Sequence, residues 1–367
     1  MAERFDIAVI GGGPAGCSAA ITAARTGARV LLLEKGLYPR HKVCGEFVSE
    51  ESHTLLADLL KSSGKGRFLD TSLVISQARS FVDGKVISHR VDPPAQSISR
   101  SVMDHALWQA TECQGVAALQ KSYVRNIAQN GDFVVATDSG ELYARAVILA
   151  AGRWSNLGPR AAIPRSPKWI GIKAHFRESS PPPSCDLYFF SGGYCGVQPV
   201  EADTINVAAM VRTDVATSME DVLRCELNLE TRSRYWKQLT ETITTAPLLL
   251  NQPIPRIGNM LHVGDAAGFI DPFAGDGISL ALQSGALAAR VLAPYLRGEQ
   301  SLMEAASAYE SRYRSAFLTA FRNAAHIRNL LAMPRLVRSA AILAMQLPAI
   351  ADYAVRITRA RTAVVTE

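Results

Sequence analysis

Residues 5–34 read FDIAVIGGGPAGCSAAITAARTGARVLLLE, and this stretch decides the fold of the N-terminal region. It begins with an apolar segment that is typical of a buried strand, and a run of glycines separates that segment from an alanine-rich helix. A second apolar segment follows and ends on Glu34. The order strand, glycine turn, helix, strand predicts a βαβ unit with a dinucleotide-binding fingerprint.

Each part of this fingerprint has a physical role in holding a pyrophosphate and a ribose. Gly11 makes the tight turn, Gly13 lets the backbone approach the phosphates, and Gly16 lets the helix pack closely on the strand. The phosphates would face the helix N-terminus, where backbone amides are free to donate hydrogen bonds. The Glu34 carboxylate can accept hydrogen bonds from ribose hydroxyls. We therefore expect a nucleotide cofactor in this region.

The composition of the 367-residue chain is that of an ordered globular enzyme, with 48% apolar and 20% charged residues. The net charge of +6 is mildly basic, but Lys and Arg are not interleaved with aromatic residues, so we expect no nucleic-acid partner. The first strand begins almost at Met1, and the six cysteines include no Cys-x-x-Cys pair. These features predict a cytoplasmic protein with free thiols and no metal site.

A second motif of glycines and acids lies far downstream, where residues 264–268 read GDAAG after a short apolar segment. Asp265 in this position can hydrogen-bond a sugar or ribityl hydroxyl. Gly275 and Gly277 then open a long helix, whose positive end could face an anionic ring edge. Asp and Gly also form ordinary turns and caps, so the N-terminal fingerprint is what favours the cofactor interpretation.

Together the two motifs resemble the FAD-binding signature of the para-hydroxybenzoate hydroxylase-type flavoproteins, over most of residues 1–300. The resemblance implies noncovalent FAD, with the ADP half held by the first motif and the ribityl chain held by Asp265. It also implies that the second glycine loop stabilises negative charge on the reduced flavin, and that Arg100 reaches over the cofactor. The cofactor-binding residues predicted in this way are Gly11, Gly13, Pro14, Ala15, Gly16, Glu34, Lys35, Arg100, Gly264, Asp265, Gly275, Gly277 and Ile278.

Within that superfamily, three segments resemble the geranylgeranyl reductase-type enzymes. Residues 39–46, PRHKVCGE, resemble a segment that those enzymes place near the flavin. Residues 192–199, GGYCGVQP, resemble a strand beside their substrate cavity, and residues 269–289 resemble their flavin-loop helix. The resemblance makes Cys44 and Glu46 candidate proton donors, although a buried free cysteine is also common as packing.

Other branches of the superfamily fit less well. Many hydroxylases carry GADGxxS where residues 150–155 read AAGRWS, which puts in doubt any nicotinamide handling tied to that acid. The AAGRWS form is closer to the SGR form of flavin-dependent halogenases, but their WxWxIP motif is absent, so halogenation is disfavoured. No second GxGxxG occurs, and we expect the flavin to be reduced by a transiently bound NAD(P)H or by another donor.

The remaining polar residues indicate no second catalytic constellation. The seven histidines are not expected to cluster, and His175 and His262 lie in short apolar segments where a core histidine is the simpler interpretation. The C-terminal stretch 329–361 combines apolar residues with several arginines. It is either a helical cap on the substrate domain or a basic amphipathic surface that meets a membrane or admits an apolar substrate.

The whole sequence predicts an α/β enzyme in which a Rossmann-like FAD-binding domain is interleaved with an antiparallel β-sheet substrate domain, followed by C-terminal helices. The predicted FAD domain comprises residues 1–75, 98–165 and 255–300, the substrate domain 76–97 and 166–254, and the helical segment 301–367. The expected function is FAD-dependent reduction of a C=C bond in a hydrophobic prenyl-like or polyketide-like molecule. The alternatives are a flavin monooxygenase that hydroxylates or epoxidises an aromatic or unsaturated secondary metabolite, and a non-catalytic flavin-binding protein.

Overall fold

The computed structural model describes residues 3–153, 156–157, 168–331 and 333, which form two β-sheets and the helices that pack on them. The strands in these residues are β1 (Arg4–Ile10), β2 (Val30–Leu33), β3 (Phe47–Val48), β4 (Leu73–Val82), β5 (Lys85–Ser97), β6 (Ala117–Leu119), β7 (Val124–Asn130), β8 (Asp132–Thr137), β9 (Gly140–Leu149), β10 (Trp169–Arg177), β11 (Ser184–Phe190), β12 (Gly193–Glu201), β13 (Thr204–Arg212), β14 (Lys237–Gln238), β15 (Ile243–Thr245), β16 (Arg256–Ile257) and β17 (Met260–His262). The helices are α1 (Pro14–Arg25), α2 (Glu50–Leu60), α3 (Phe68–Thr71), α4 (Arg100–Cys113), α5 (Met219–Leu223), α6 (Leu227–Ser233), α7 (Gly277–Leu296) and α8 (Leu302–Leu331).

The first sheet is the Rossmann-like layer that the fingerprint predicts. Its parallel strands lie in the order β17-β9-β1-β2-β6, with β1 between β9 and β2. β16 extends one edge, and the antiparallel strands β7 and β8 attach through β9. β2 is buried along its whole length and β1 along most of it, as expected for parallel strands covered by helices.

Helix α1 is covered by helices from the far end of the chain. A Cβ added to Gly285 in α7 would lie 2.1 Å from a carbonyl oxygen of α1, and the Ser18 hydroxyl donates a 2.7 Å hydrogen bond to a carbonyl of α7. α8 packs on α7, and the Tyr309 hydroxyl donates a 2.6 Å hydrogen bond to the His262 carbonyl in β17. As far as residue 331, the predicted C-terminal segment 301–367 is therefore a long helix that packs in the layer around the first sheet.

The second sheet has the order β14-β10-β13-β12-β11-β4-β5-β3, with β15 also paired to β10. The turn that the sequence predicts at Asp83-Gly84 joins β4 to β5, and both turn residues have positive φ. The sheet is antiparallel as predicted except between β4 and β11, which run parallel. The predicted domain limit at residue 75 lies inside β4, since that strand begins at Leu73.

The chain alternates between the two sheets, as the interleaved architecture requires. β1 and β2 belong to the first sheet, β3–β5 to the second, β6–β9 to the first, β10–β15 to the second, and β16–β17 to the first. The stretch between β2 and β3 therefore passes from one sheet to the other. This stretch, residues 34–46, carries Glu34, Cys44 and Glu46, so the junction between the sheets is also where candidate functional residues gather.

His262 is the core histidine that its apolar surroundings predict. Its side chain is fully buried, and Nδ1 donates a 3.1 Å hydrogen bond to the Ile254 carbonyl, while Nε2 has no hydrogen-bond partner among the described residues. Burial lowers the pKa of His262 to about 4, although the hydrogen bond to Ile254 acts in the opposite direction. The imidazole is therefore neutral in the folded protein at neutral pH.

We predict that the protein loses stability as the pH falls from about 6.5 to about 4, and that His262→Gln removes this part of the loss. In the unfolded chain the imidazole takes up a proton near its ordinary pKa of 6.5, whereas the folded protein resists protonation until about pH 4. The unfolded state therefore binds more protons across this range, and the lost stability is about 2–3 kcal/mol.

Over the same pH range Asp271 changes the stability in the opposite direction, so that its contribution rises as the pH falls. The reason is that burial raises the pKa of Asp271 to about 6 despite the ion pair with Arg328. The quantity to measure is therefore the difference in urea unfolding free energy between the wild type and His262→Gln, at neutral pH and near pH 4.5. We expect this difference to change with pH, and an identical pH dependence in the two proteins would contradict the assignment of His262.

Candidate active site

A cavity of about 990 Å³ lies between the carboxyl ends of the first sheet's parallel strands and one face of the second sheet. Its lining includes the turns that follow β1, β2, β9 and β17, which is where ligands bind in open α/β sheets. Its volume is at the upper end of the roughly 300–1,000 Å³ typical of small-molecule sites. The residues that the sequence predicts for cofactor binding or catalysis all line this cavity, except Gly16.

The structure gives the fingerprint glycines two different roles. A Cβ added to Gly11 would lie 2.3 Å from the Ala150 carbonyl oxygen, and one added to Gly16 would lie 1.8 Å from the Gly11 carbonyl oxygen. Gly11 also has φ +110°, which favours glycine. At both positions glycine is therefore needed to avoid a clash within the protein's own backbone. A Cβ added to Gly13 would meet no atom within 4 Å, because that side of Gly13 is open space in the cavity. An open space at the N-terminus of α1 is what a bound pyrophosphate requires.

Glu34 is a buried carboxylate at the end of β2. Its Oε2 accepts a 2.9 Å hydrogen bond from the Gly12 amide, and its Oε1 accepts a 2.7 Å bond from the Gly36 amide and lies 2.8 Å from the Arg40 guanidinium. Burial alone would raise the pKa of Glu34, but Arg40 and the two amides outweigh it and hold the pKa below its ordinary value. A carboxylate has about four acceptor positions, so these donors leave room for a ribose hydroxyl.

The second motif contributes the other polar part of the cavity. The Asp265 side chain is 38% exposed and makes only a loose 3.8 Å approach to Arg153 Nε. Gly277 begins α7, and a Cβ added there would again meet nothing within 4 Å. The cavity is thus bordered by a partly exposed carboxylate, by a helix N-terminus and by the open space at Gly13. This donor and acceptor set fits FAD, with Glu34 for the ribose, α1 for the pyrophosphate and Asp265 for the ribityl chain.

We predict that Asp265→Ala weakens FAD binding about 10- to 100-fold while the apo protein stays folded. A hydrogen bond to a charged group contributes about 1.5–3 kcal/mol, which corresponds to this loss of affinity. Asp265→Asn, which keeps an acceptor oxygen but not the charge, is the matched control and should lose less affinity than Asp265→Ala. Titration of the apo proteins with FAD, followed by flavin fluorescence, measures both, and equal affinities for wild type and Asp265→Ala would count against the ribityl assignment.

Cys44 lies in the wall of the cavity. The Glu46 amide donates a hydrogen bond to its Sγ over 3.4 Å, and Asn206 Nδ2 donates to the Cys44 and Gly45 carbonyls over 3.0 and 2.9 Å. The nearby Arg100 guanidinium is held by two 2.7 Å hydrogen bonds to the Asp104 carboxylate. This arrangement leaves a fixed thiol in contact with the cavity, which is compatible with the predicted role of Cys44 as a proton donor.

Glu46 has an environment that does not suit a proton donor. It is fully buried with φ +62°, and its Oε1 accepts hydrogen bonds from Lys173 Nζ over 2.5 Å and from the Arg100 amide over 2.7 Å. Its Oε2 lies 2.8 Å from His175 Nε2. Burial alone would raise the pKa of Glu46, but His175 and Lys173 outweigh it and hold the pKa at about 2. An ionised carboxylate has no proton to donate at neutral pH, so the geometry favours an anchoring role over the predicted catalytic one.

The expectation that the histidines do not cluster is wrong for two of them. The rings of His41 and His175 meet edge to face with centroids 5.1 Å apart, and both lie beside Glu46. The three side chains are close enough to one another to hold a metal ion, but the Lys173 ammonium already neutralises the carboxylate at 2.5 Å. His175 is a core histidine with a satisfied hydrogen bond, as its apolar surroundings predict, but it also belongs to a buried group with Glu46 and Lys173. Lys173 is a site residue that sequence reasoning missed.

The half of the cavity beside the second sheet is predominantly apolar, although His89, Arg90 and Gln198 also line it. The rings of Phe189, Tyr194 and Phe273 contact one another with centroids 5.6–6.5 Å apart. Further apolar lining comes from the loops and from the end of α8, through Leu248, Phe269, Ile327, Leu330 and Leu331. This half of the cavity suits a hydrophobic molecule.

Two parts of the sequence interpretation lie partly outside the described residues. In the motif at 150–155, the structure describes residues 150–153 but not Trp154 and Ser155. In the stretch 329–361 it describes only 329–331 and 333, so the predicted membrane-facing surface is not covered. In the part of the chain that the structure describes, no helix is both long enough and apolar enough to cross a membrane.

Comparison with known proteins agrees with the cofactor that the cavity fits. Residues 6–148 match the model of the FAD dependent oxidoreductase family. The menaquinone reductase of Mycolicibacterium smegmatis is 23% identical to this chain, over 97% of this chain and 92% of its own length. The digeranylgeranylglycerophospholipid reductase of Methanocella arvoryzae is 27% identical, over 86% of this chain and 84% of its own length.

Solved structures share the fold along nearly the whole chain. A geranylgeranyl bacteriochlorophyll reductase-like protein from Thermoplasma acidophilum has a TM-score of 0.74 and 20% identity, covering 99% of this chain and 94% of its own. The flavin-dependent brominase Bmp2 has a TM-score of 0.79 and 20% identity, covering 97% and 93%. The chain is an FAD-dependent oxidoreductase with FAD as its cofactor, and over most of its length it is similar to reductases of the geranylgeranyl type.

Proposed function

We propose that this FAD-dependent oxidoreductase reduces a carbon–carbon double bond in a hydrophobic molecule with a prenyl-like or polyketide-like chain. The observation that carries the proposal is the division of one cavity into a polar half that fits the cofactor and an apolar half rich in aromatic rings. The names of the two reductase relatives support reduction, and one of those names refers to a digeranylgeranyl lipid.

When bound, FAD would supply the hydride for this reaction. The chain's own residues do the remaining work. Gly13 and Glu34 orient the cofactor at the end of the first sheet, and the apolar half of the cavity excludes water from the double bond. Cys44 holds a proton on Sγ at the cavity wall, and in this proposal it gives that proton to the second alkene carbon. One hydride and one proton are thus added, and NAD(P)H or another reductant must restore the hydride.

Glu46 has a different part in this proposal from the one that the sequence indicates. Its carboxylate is ionised and bound by Lys173, His175 and the Arg100 amide, so it anchors the segment that carries Cys44. The proton that is delivered to the substrate then comes from the thiol rather than from the carboxyl group.

We expect product to form without oxygen once the flavin is reduced, and the product to gain two hydrogens. The test incubates the reduced protein with a panel of hydrophobic unsaturated molecules, under nitrogen and in air with labelled dioxygen, and measures product mass. A product that carries one labelled oxygen atom and never appears under nitrogen would indicate the monooxygenase alternative. No conversion of any candidate under either condition would favour a non-catalytic flavin-binding protein.

A further inference from the structure

We propose that Lys173, His175 and Asn206 are positioning residues that fix the segment from Cys44 to Glu46 against the cofactor cavity. The proposal rests on the proposed function in one respect, which is the use of Cys44 as the proton donor. The segment leaves the first sheet, whereas all three positioning residues belong to the second sheet. We call these three side chains the polar clamp.

The polar clamp occupies one face of two neighbouring strands. His175 in β10 and Asn206 in β13 are direct cross-strand partners, and Lys173 lies two residues before His175 on the same face of β10. Each of the three is at most 5% exposed. Burying a polar group is unfavourable unless the group forms hydrogen bonds. The hydrogen-bond partners of the polar clamp therefore indicate its role.

All the side-chain hydrogen bonds of the clamp that the structure shows go to the one segment. Lys173 Nζ and His175 Nε2 bind the two oxygens of Glu46, and Asn206 Nδ2 binds the carbonyls of Cys44 and Gly45. Among the described residues, Lys173 Nζ and Asn206 Nδ2 form no other hydrogen bond. The clamp therefore joins the second sheet to this segment rather than stabilising its own sheet.

The first residue of α4 and the residue that follows β5 also hold the segment. The Arg100 amide donates to the Glu46 carboxylate over 2.7 Å, and the Ile98 amide donates to the Glu46 carbonyl over 3.0 Å. Glu46 is thus fixed from both sides in a backbone conformation, φ +62°, that non-glycine residues rarely adopt. Since Cys44 lies only two residues away, the direction of its thiol depends on these contacts.

If the polar clamp only stabilised the fold, it would not need an ion pair and directed hydrogen bonds. A buried ion pair is weak evidence for stability, because apolar residues of similar volume often serve as well or better. An ion pair and two directed hydrogen bonds do, however, specify one position for the segment. The distinguishing observable is therefore the behaviour of the Cys44 thiol, because thiol reactivity depends on exposure and on neighbouring charge.

The test compares Lys173→Met with Lys237→Met in the full-length protein with FAD bound. Lys237 is an exposed lysine of β14, which also pairs with β10, so the control makes the same change on the same sheet. We expect Lys173→Met to change the rate at which iodoacetamide alkylates Cys44 by about tenfold. We expect kcat to fall by about 10- to 100-fold with FAD affinity and KM nearly unchanged. Alkylation is followed on the Cys44 peptide by mass spectrometry, because the chain contains five other cysteines.

Asn206→Ser is the second variant, and the same measurements on it test the proposal if Lys173→Met does not fold. It removes the hydrogen bonds to Cys44 and Gly45 without leaving a buried charge unpaired. Wild-type alkylation rates at Cys44 in folded, flavin-loaded Asn206→Ser and Lys173→Met would overturn the proposal. Altered alkylation with unchanged turnover would support the clamp and would instead contradict the role of Cys44 as proton donor, so the two proposals fail separately.

Discussion

Gly13→Val should yield a folded protein that has lost nearly all of its FAD, with an affinity at least about 100-fold below that of the wild type, or about 2.7 kcal/mol. The added side chain would project into the cavity at the N-terminus of α1, where the pyrophosphate must approach the backbone. It would meet no protein atom within 4 Å of its Cβ, and Gly13 has φ −72°, which every residue tolerates. Flavin absorbance of the purified protein and thermal unfolding of the apo form measure the two expectations.

Two further glycine variants define what this result means. Gly66→Val places the same side chain at a position away from the cavity, where an added Cβ would make only ordinary contacts from 3.5 Å, so FAD content should not change. Gly16→Ala should instead destabilise the protein itself, because its Cβ would lie 1.8 Å from the Gly11 carbonyl oxygen. If Gly13→Val kept full FAD occupancy, the fingerprint would not be the cofactor site.

Cys44→Ala should keep its flavin spectrum and lose about 10²–10⁴ in turnover rate. The thiol lies in the cavity wall in a segment bound by β13 and by the start of α4, and removal of a positioned proton donor typically has an effect of this size. Steady-state kinetics on a substrate found in the anaerobic panel measure the loss, with FAD content determined in parallel.

The matched control for this variant is Cys185→Ala. Cys185 also lines the cavity, but it belongs to β11 of the second sheet, and burial raises the pKa of its thiol to about 12. Its removal should leave turnover within a few fold of the wild type. If Cys44→Ala and Cys185→Ala turned over at the same rate as the wild type, Cys44 would be a packing residue.

The cofactor half of the site could be predicted because its signals are local in the sequence. Gly11, Gly13, Gly16 and Glu34 lie within one βαβ unit, so their spacing alone determines their relation to one another. The hairpin at Asp83-Gly84 was predictable for the same reason, since a two-residue turn fixes its own register.

The polar clamp could not be predicted in this way. Lys173 and His175 alternate with apolar residues in WIGIKAHFR, and this pattern does show that two polar side chains share a face of a buried strand. It does not show what they face. Their partner Glu46 lies in a loop that reaches the second sheet only once the whole chain is folded, and Asn206 joins them only through the pairing of β10 with β13. A resemblance that marked Glu46 as a proton donor therefore missed the charges that keep it ionised.

The packing of α7 on α1 has a consequence for how the protein is made. On the ribosome α1 is synthesised early, but Gly285, which seats α7 against it, is added only when most of the chain has been translated. At roughly 5–20 residues per second, that delay is roughly 10–50 seconds. During this time the nascent chain carries an uncovered apolar helix beside an incomplete sheet, and the second half of the cofactor site does not yet exist. The nascent protein should therefore depend on chaperones that shield such surfaces, and it should acquire flavin only after α7 has docked.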